Sequence, residues 1–318
     1  MIWKHLPLVM PVYHVLASMA ADTPLVHNDD THVKILELMG KRRRELEAAG
    51  ELERPDRTGL FTTAIVAQTD AGPIALFASG RAHAGENLAD LLDRRNSELP
   101  PPIQMCDALE RNLPEGHVVL PANCLSHGRR QFVDEINNHP ELCRHILEQV
   151  GKVFANDQTC KREGLVGAAR LEFHQRESGP VMQDLHEWIE ELVASKTVEP
   201  NSGLGKALSY MTEHWHKLTV FLRLPDAPID NNITERALKA AIRLRRGSLF
   251  YATTNGALAG DVFLALIHTT LMHGGNPWKY LTALFVHHKQ VEAAPQDWLP
   301  WNYEASLARL DENQMTAA

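Results

Sequence analysis

The sequence predicts an α/β protein whose sheet domain is interrupted by a long helical insertion. Three observations indicate this class. Segments rich in β-branched and aromatic residues recur between about residues 25 and 125, and helical periodicity then continues from about 127 to 225. A strongly helix-forming, basic segment follows the insertion at residues 230–246.

The strands are expected in the first 125 residues, where turn residues separate short apolar runs. Strands are predicted within residues 25–38, 59–69, 73–79, 101–107 and 118–125. The first carries an acidic pair, Asp29 and Asp30, and the fourth ends in Asp107. A turn is expected at Gly72-Pro73, and the apolar spacing of residues 83–95 predicts a helix between the third and fourth strands.

The insertion is expected to contain only helices, because its apolar residues recur at helical spacing. Helices are predicted near residues 128–137, 141–154, 164–175, 180–195 and 203–222. After the helix at 230–246, a short extended piece and turn should lead into an apolar helix that begins near Asp261. No apolar run looks long enough to span a bilayer, so no membrane association is expected.

The composition is that of a globular protein with a local rather than a global basic surface. The 318-residue chain carries 40 acidic and 32 basic residues, a net charge of −8. A protein that binds nucleic acid over its whole surface would be basic, so any such contact must be local. Four cysteines in a chain of this length do not form a disulfide scaffold, which favours a reduced, cytoplasmic compartment.

The N-terminus offers a competing interpretation. Lys4, the apolar stretch Leu6–Leu16 and the small residues after it have the shape of a signal peptide. Two prolines, a tyrosine and a histidine interrupt that stretch, however, and nothing downstream is typical of a secreted protein. Secretion is therefore the weaker hypothesis.

Acidic residues mark a candidate metal site. Asp29 or Asp30 lies on the first strand, Asp107 ends the fourth, and Glu235 begins the helix after the insertion. Carboxylates on a central strand, a neighbouring strand and a covering helix can converge at one edge of a sheet. Three such oxygen donors would suit a hard divalent cation such as Mg²⁺.

The segment 230–246 has two interpretations. Glu235 is followed by a basic series, and a lone carboxylate ahead of such a series suits a metal ion beside a phosphate backbone. The series comprises Arg236, Lys239, Arg243, Arg245 and Arg246. Alternatively, Asn232 and Glu235 have capping-box spacing, so that Glu235 would only accept from the Asn232 N–H. The basic residues would then be a solvated face.

A second metal motif is weak. Cys124 and His127 have the spacing of half a zinc site, and Cys143 is a conceivable third ligand. No second paired spacing supports it.

Ordered sequence pieces across most of the chain resemble the insertion sequence 66 family of bacterial transposases. The pieces are HNDDT (27–31), RTGLFTTAIV (57–66), HAGENLADLL (83–92), IQMCDAL (103–109), NCLSHGRRQF (123–132), SGPVMQDLHEWIEEL (178–192), NSGLGKALSYMTEHWHKLTVFL (201–222), IDNNITERALKAAIRLRRGSLFY (229–251) and WLPWNY (298–303). No single piece is decisive, but their common order is specific.

The resemblance implies a ribonuclease-H-like catalytic core that cleaves DNA and transfers strands during transposition. Its acidic triad falls on Asp29, Asp107 and Glu235, which would hold two Mg²⁺ or Mn²⁺ ions. Phosphate contacts would come from Arg236, Lys239, Arg243, Arg129 and Arg130. The implied division is an N-terminal remnant helix or linker (1–24), a catalytic core (25–126 and 229–275), a helical insertion (127–228) and a C-terminal helix and tail (276–318).

Departures from the family pattern leave questions open. Asp30 stands where the family usually has Glu, so Asp30 competes with Asp29 as the first ligand. Asp107 is followed by Ala108-Leu109 in place of the common Gly-Tyr. The family's N-terminal DNA-binding region is not recognised here. A truncated, non-catalytic remnant that binds DNA or a partner subunit is therefore the alternative function. DNA, further copies of the chain and a separate DNA-binding subunit are the expected partners.

Overall fold

The computed structural model describes residues 2–317, with the side chains of all but residues 2, 3, 244 and 313–317. These residues form a mixed α/β structure, as predicted. The strands are β1 Leu25–His32, β2 Phe61–Thr69, β3 Gly72–Gly80, β4 Ile103–Cys106 and β5 Leu120–Asn123. The helices are α1 Leu6–Ala21, α2 Gly40–Ala48, α3 Ala84–Leu92, α4 Leu125–Glu135, α5 Pro140–Glu163, α6 Gly167–Glu177, α7 Gly179–Ala194, α8 Gly203–Leu218, α9 Asn232–Ser248, α10 Thr254–Met272, α11 Pro277–Val286, α12 His288–Ala293 and α13 Tyr303–Ala317.

The five strands form one mixed sheet in the order β3-β2-β1-β4-β5. The pairs β1–β2 and β2–β3 are antiparallel, whereas β4 and β5 are parallel. The five predicted strands are thus all present, and the helix expected at 83–95 is α3. The chain divides into two compact units, the first made of Met1–Pro102, Glu110–Val119 and Ile233–Ala318 and the second of Ile103–Leu109 and Leu120–Asn232.

The prediction of a turn at Gly72-Pro73 is wrong by two residues. The turn is formed by Asp70 and Ala71, and Pro73 already pairs with Gln68 in the β2–β3 ladder. Proline is tolerated there because β3 is an edge strand, which can leave one N–H position unused. Gly72 has a φ of 113°, a conformation that glycine adopts without the steric cost of a side chain.

Helix α1 belongs to the core of the first unit. Val9, Val12, Leu16 and Ala20 have no exposed surface, and their spacing of three or four residues forms one apolar face. This face joins the same hydrophobic cluster as residues of β2, β3, α3 and α10. The segment for which a remnant helix or linker was expected therefore contains a packed helix.

The second unit contains β4, β5 and the five helices α4–α8, which correspond to the five helices predicted in the insertion. Helix α5 is longer than expected and ends at Glu163, where Gly164 caps it with a φ of 67°. A buried ion pair joins α5 to α6, with 2.7 Å between Asp157 Oδ1 and Arg170 Nη2. Burial raises the pKa of Asp157, but hydrogen bonds from His174, Lys161 and Arg170 outweigh it and hold that pKa well below its usual range.

Helix α10 covers the free edge of β3. The hydroxyl of Thr269 accepts from the Ala75 N–H at 3.1 Å and donates to the Ala75 carbonyl. The carboxylate of Asp261 accepts from the Ser79 N–H at 2.6 Å and from its hydroxyl at 2.7 Å. Polar groups on one helix therefore satisfy backbone groups that an exposed edge strand would offer to another chain.

The expectation about membrane-spanning segments needs correction. The 19-residue helix α10 is long and apolar enough to cross a bilayer by length and composition alone. Half of its apolar window is buried within the protein, and it packs on β3 as a core helix does. This length was not apparent from the sequence, because the helix was expected to begin near Asp261, seven residues after Thr254, where α10 begins.

Burial of Asp261 should make the stability of the first unit depend on pH. Burial raises the pKa of Asp261 to about 7, against the opposing effect of the Ser79 hydrogen bonds. The folded state then binds more protons than the unfolded state between about pH 4 and 7. The Asp261 contribution to stability is therefore favourable at low pH and is lost as the pH rises through 7.

We predict that Asp261→Asn removes this pH dependence. Between pH 5 and 7, the wild-type free energy of unfolding should fall relative to that of the variant by roughly 1 kcal/mol per pH unit. Urea unfolding of both proteins from pH 5 to 8.5 measures the difference, in which other titrating groups cancel. Parallel pH profiles for the two proteins would contradict the assignment.

Candidate functional site

The acidic pair on β1 is divided between the two faces of the sheet, because successive strand residues point in opposite directions. The side chain of Asp30 is only 3% exposed. Its carboxylate lies 3.2 Å from His83 Nδ1, accepts from the Ala84 N–H at 3.3 Å and lies 3.5 Å from Arg111 Nη2. Asp30 therefore joins β1 to the start of α3.

The other face of β1 carries Asp29 and Thr31. Asp29 is partly buried, and its Oδ1 accepts from the Asp30 N–H at 2.8 Å. The Thr31 hydroxyl accepts from Arg245 Nη2 of α9 at 3.3 Å. Since Asp29 and Thr31 share a strand face, Asp29 points to the side of the sheet on which α9 contacts Thr31. This difference separates the two candidate first ligands, because Asp30 is engaged on the opposite face.

Glu235 lies in the first turn of α9 and is partly buried. The capping-box alternative requires the Asn232 N–H as its donor. That N–H donates to Asp230 Oδ1 at 3.0 Å, and the Asn232 side chain donates to Asp230 Oδ2 at 2.7 Å. Asp230 therefore accepts the backbone hydrogen bond that the capping-box interpretation assigned to Glu235. Ten residues, about 15 Å of helix, separate Glu235 from Arg245.

Asp107 immediately follows β4 in the second unit and is partly buried. Its Oδ1 accepts from the Leu109 N–H at 3.1 Å, a local turn that fixes the start of the loop. Tyr210 of α8 lies close enough that Asp107, together with Cys124 and Cys106, adds to burial in raising the pKa of the tyrosine. The Ala-Leu that follows Asp107 leaves its carboxylate in place.

No group of three or more His, Cys, Asp or Glu side chains in the described part of the chain is arranged to hold a metal ion. The proposed zinc half-site also lacks support. Cys124 is buried, its Sγ accepts from the Asn231 N–H at 3.2 Å, and burial raises its pKa to about 11. The Cys124 thiol is thus buried and engaged with the α9 N-terminal backbone, as a packing residue is.

Helix α9 presents one basic stripe, formed by the exposed side chains of Arg236, Lys239, Arg243 and Arg246. Their spacing of three, four and three residues keeps them on one helix face. Arg245 points elsewhere and is partly buried, and burial lowers its pKa. Arg129 and Arg130 are exposed on α4 of the second unit. The three predicted DNA-binding cations of α9, Arg236, Lys239 and Arg243, thus lie together on one exposed helix face.

The cluster that holds Asp30 was not predicted from the sequence. The rings of Phe61 and His83 lie 4.3 Å apart, and the guanidinium of Arg111 lies 5.8 Å from the centre of the Phe61 ring. Glu86 accepts from the His83 N–H at 2.8 Å and pairs with Arg57. The sequence offered one signal for this cluster, the capping-box spacing of His83 and Glu86. The contact between Asp30 and Arg111 joins residues that are 81 positions apart in sequence.

Electrostatics keep Glu86 ionised within that cluster. Burial raises its pKa, but the His83 N–H and the two arginines Arg54 and Arg57 lower it overall. The cluster is therefore a set of paired charges that fixes β1 against α3. We interpret it as the support of the strand that presents Asp29.

Most of the chain is similar to known proteins. A family model described as "Transposase IS66 family" matches residues 1–259. The uncharacterized protein y4jD of Sinorhizobium fredii is 29% identical over 189 residues, which are 58% of this chain and 36% of the relative. The uncharacterized protein y4hP of the same organism is 26% identical over 275 residues, 84% of this chain and 42% of the relative. The chain thus spans about two fifths of the curated relatives it matches.

We predict that the two β1 aspartates differ in their effect on stability. Asp30→Asn should lower the free energy of unfolding by about 1–3 kcal/mol, because it removes the charge of a buried carboxylate and weakens its hydrogen bonds from three donors. Asp29→Asn should cost clearly less. Urea unfolding of the two variants at pH 7 measures this, and equal losses, or a larger loss for Asp29→Asn, would contradict the assignment of Asp30 to the structural role.

Proposed function

Since the chain belongs to the IS66 family of transposases, we propose that it cleaves DNA strands and transfers them during transposition. Membership itself implies a function related to transposition, with DNA as the partner. The proposal adds the reaction and its residues. It also adds a ribonuclease-H-like core, which is supported by the mixed sheet and by the five helices between β5 and α9.

One observation carries the assignment of the carboxylates. Asp29 shares a strand face with Thr31, and Thr31 is hydrogen-bonded to the helix whose first turn bears Glu235. Asp29 and Glu235 therefore belong to a strand and a helix in direct contact, and that contact lies ten residues, about 15 Å, along α9 from Glu235. Asp107 is the residue that follows β4 of the second unit, and it joins the set through the family resemblance of IQMCDAL (103–109). Asp29, Asp107 and Glu235 are thus the proposed catalytic set.

The donor chemistry of this set suits Mg²⁺ or Mn²⁺, since all three side chains offer carboxylate oxygens. When bound, two such ions would activate the attacking water or 3′-hydroxyl and stabilise the leaving oxygen. Asp29, Asp107 and Glu235 would hold them. Because these three carboxylates, all among the described residues, form no metal-binding group by themselves, we propose that phosphate oxygens of DNA complete the site.

The residues of α9 would bind the DNA backbone. The stripe Arg236, Lys239, Arg243 and Arg246 offers four cationic side chains along one face of the helix that begins with Glu235 in its first turn. Arg129 and Arg130 would add phosphate contacts from the second unit. Backbone contacts of this kind position DNA without reading its sequence. Recognition of transposon ends would thus come from other groups, and we propose further copies of the chain or a separate DNA-binding subunit.

The second candidate is a non-catalytic transposase remnant that binds DNA or a partner subunit. The absence of a three-residue metal-binding group among the described side chains favours it, as does the net charge of −8. Both candidates place the protein in the cytoplasm, and they differ first in whether DNA strands are cut.

We predict that the wild-type protein nicks DNA in the presence of Mn²⁺ and that Glu235→Gln abolishes this activity. Loss of a direct metal ligand should cost more than about 100-fold in rate, the upper range for residues that only support a ligand. Supercoiled plasmid relaxation is the assay, and Glu45→Gln on the exposed face of α2 is the matched control. A folded wild-type protein that cuts no DNA would favour the remnant.

We predict a separate effect on DNA affinity. Each of Lys239→Ala and Arg243→Ala should reduce the slope of log affinity against log salt by about 0.9, the value for one phosphate contact on duplex DNA. Fluorescence anisotropy with a labelled duplex between 50 and 200 mM salt measures the slope. Lys289→Ala on α12 should leave it unchanged. An unchanged slope in the α9 variants would remove the stripe from the interface.

A further inference from the structure

A large aromatic cavity lies in the first unit next to the C-terminal end of α9. Its volume is about 1140 Å³, and its walls come from α9, the segment 250–256, α10, α11 and His5. Arg245, Phe250, Tyr251, Phe263, Trp278 and Phe285 are among the residues that line it. We refer to it as the aromatic cavity. Nothing in the proposed cleavage chemistry uses it.

Two aromatic side chains at the mouth of the aromatic cavity are exposed to solvent. Trp278 is 80% exposed and Phe250 is 44% exposed. The backbone of Trp278 is anchored at the start of α11, since Asn276 Oδ1 accepts from the Trp278 N–H at 2.9 Å and from the Lys279 N–H at 3.2 Å. An exposed indole at a cavity mouth is a ready stacking surface.

The aromatic cavity is also connected to the candidate catalytic strand. Arg245 lines it and donates to the Thr31 hydroxyl, while the Arg245 Nε has no hydrogen-bond partner among the described residues. Thr31 is two residues, about 6.6 Å, from Asp29 along the same face of β1. That length is close to the span of one nucleotide. The exposed Arg243 and Arg246 of the basic stripe belong to the same end of α9.

These observations indicate which kind of ligand fits the aromatic cavity. A purely apolar groove would suit a protein helix, but this cavity has an arginine in its wall and two more on the adjoining end of α9. Aromatic surfaces beside a basic track are the combination that binds unpaired bases, because every base can stack while its phosphate is neutralised. Within a duplex, every internal base is stacked on both faces by its neighbours and cannot enter the cavity.

We propose that the aromatic cavity binds an unpaired base of the DNA substrate, next to the strand that is cut. The proposal rests on the proposed function and adds to it a preference for DNA with unpaired nucleotides. Trp278 and Phe250 would stack on the base, and Arg245 would contact the phosphate between that base and the Asp29 side of β1.

The experiment compares three DNA molecules of equal duplex length: a blunt duplex, a duplex with a three-nucleotide overhang, and the same overhang made abasic. Anisotropy gives the affinity of each for the wild type, Trp278→Ala, Trp278→Phe and Val166→Ala. Val166 is 71% exposed in the second unit and is the matched control for loss of exposed apolar surface.

We expect the wild type to bind the overhang about tenfold more tightly than the blunt or the abasic molecule. Trp278→Ala should remove this advantage and leave blunt-duplex affinity unchanged, whereas Trp278→Phe should keep most of it because phenylalanine also stacks. The Val166→Ala variant should behave as the wild type. Sedimentation of each variant provides the oligomeric state.

Several results would overturn the inference. Equal binding of the normal and abasic overhangs would exclude base stacking, and an equal loss on all three molecules in Trp278→Ala would assign Trp278 to the backbone interface. A dimer that becomes a monomer in Trp278→Ala would show that a second copy covers the cavity. If the wild type binds blunt duplex but ignores the overhang, only this inference fails. If it binds no DNA, the proposed function fails as well.

Discussion

The alternation of side chains along β1 is the constraint on which the rest of the site depends. It directs Asp30 into the cluster of His83, the Ala84 N–H and Arg111, and it directs Asp29 to the face where Thr31 meets α9. A register shift of one residue would exchange the two carboxylates. The ion pairs of Asp30 and the adjacent, tilted rings of Phe61 and His83 oppose such a shift, so Asp30 helps to hold Asp29 in orientation.

The basic residues proposed to contact DNA are concentrated on one helix of this acidic chain. The net charge of −8 disfavours general attraction to a polyanion. Helix α9 gathers four exposed cations on one face behind a single carboxylate, and its far end adjoins the aromatic cavity. Backbone contact, the proposed chemistry and the proposed base contact therefore all involve one helix and the strand that it touches.

Local patterns predicted most elements, and long-range contacts explain what they missed. β-branched runs identified β2 and β3, and helical spacing identified α3 and α4–α8. The Gly72-Pro73 turn was misplaced because an edge strand tolerates proline, and being an edge depends on the whole sheet. Asp29 and Asp30 could not be distinguished, since the face that each occupies depends on Arg111 and Arg245, more than 80 residues away. The aromatic cavity likewise forms from segments without a common motif.

Anomalous diffraction from crystals grown with Mn²⁺ and a DNA oligonucleotide would show which carboxylates hold the metal. We expect manganese peaks in contact with carboxylate oxygens of Asp29, Asp107 and Glu235, while Asp30 remains with His83 and Arg111. Manganese bound to Asp30 in place of Asp29, or DNA bound on the α9 stripe with no metal at these three carboxylates, would contradict it.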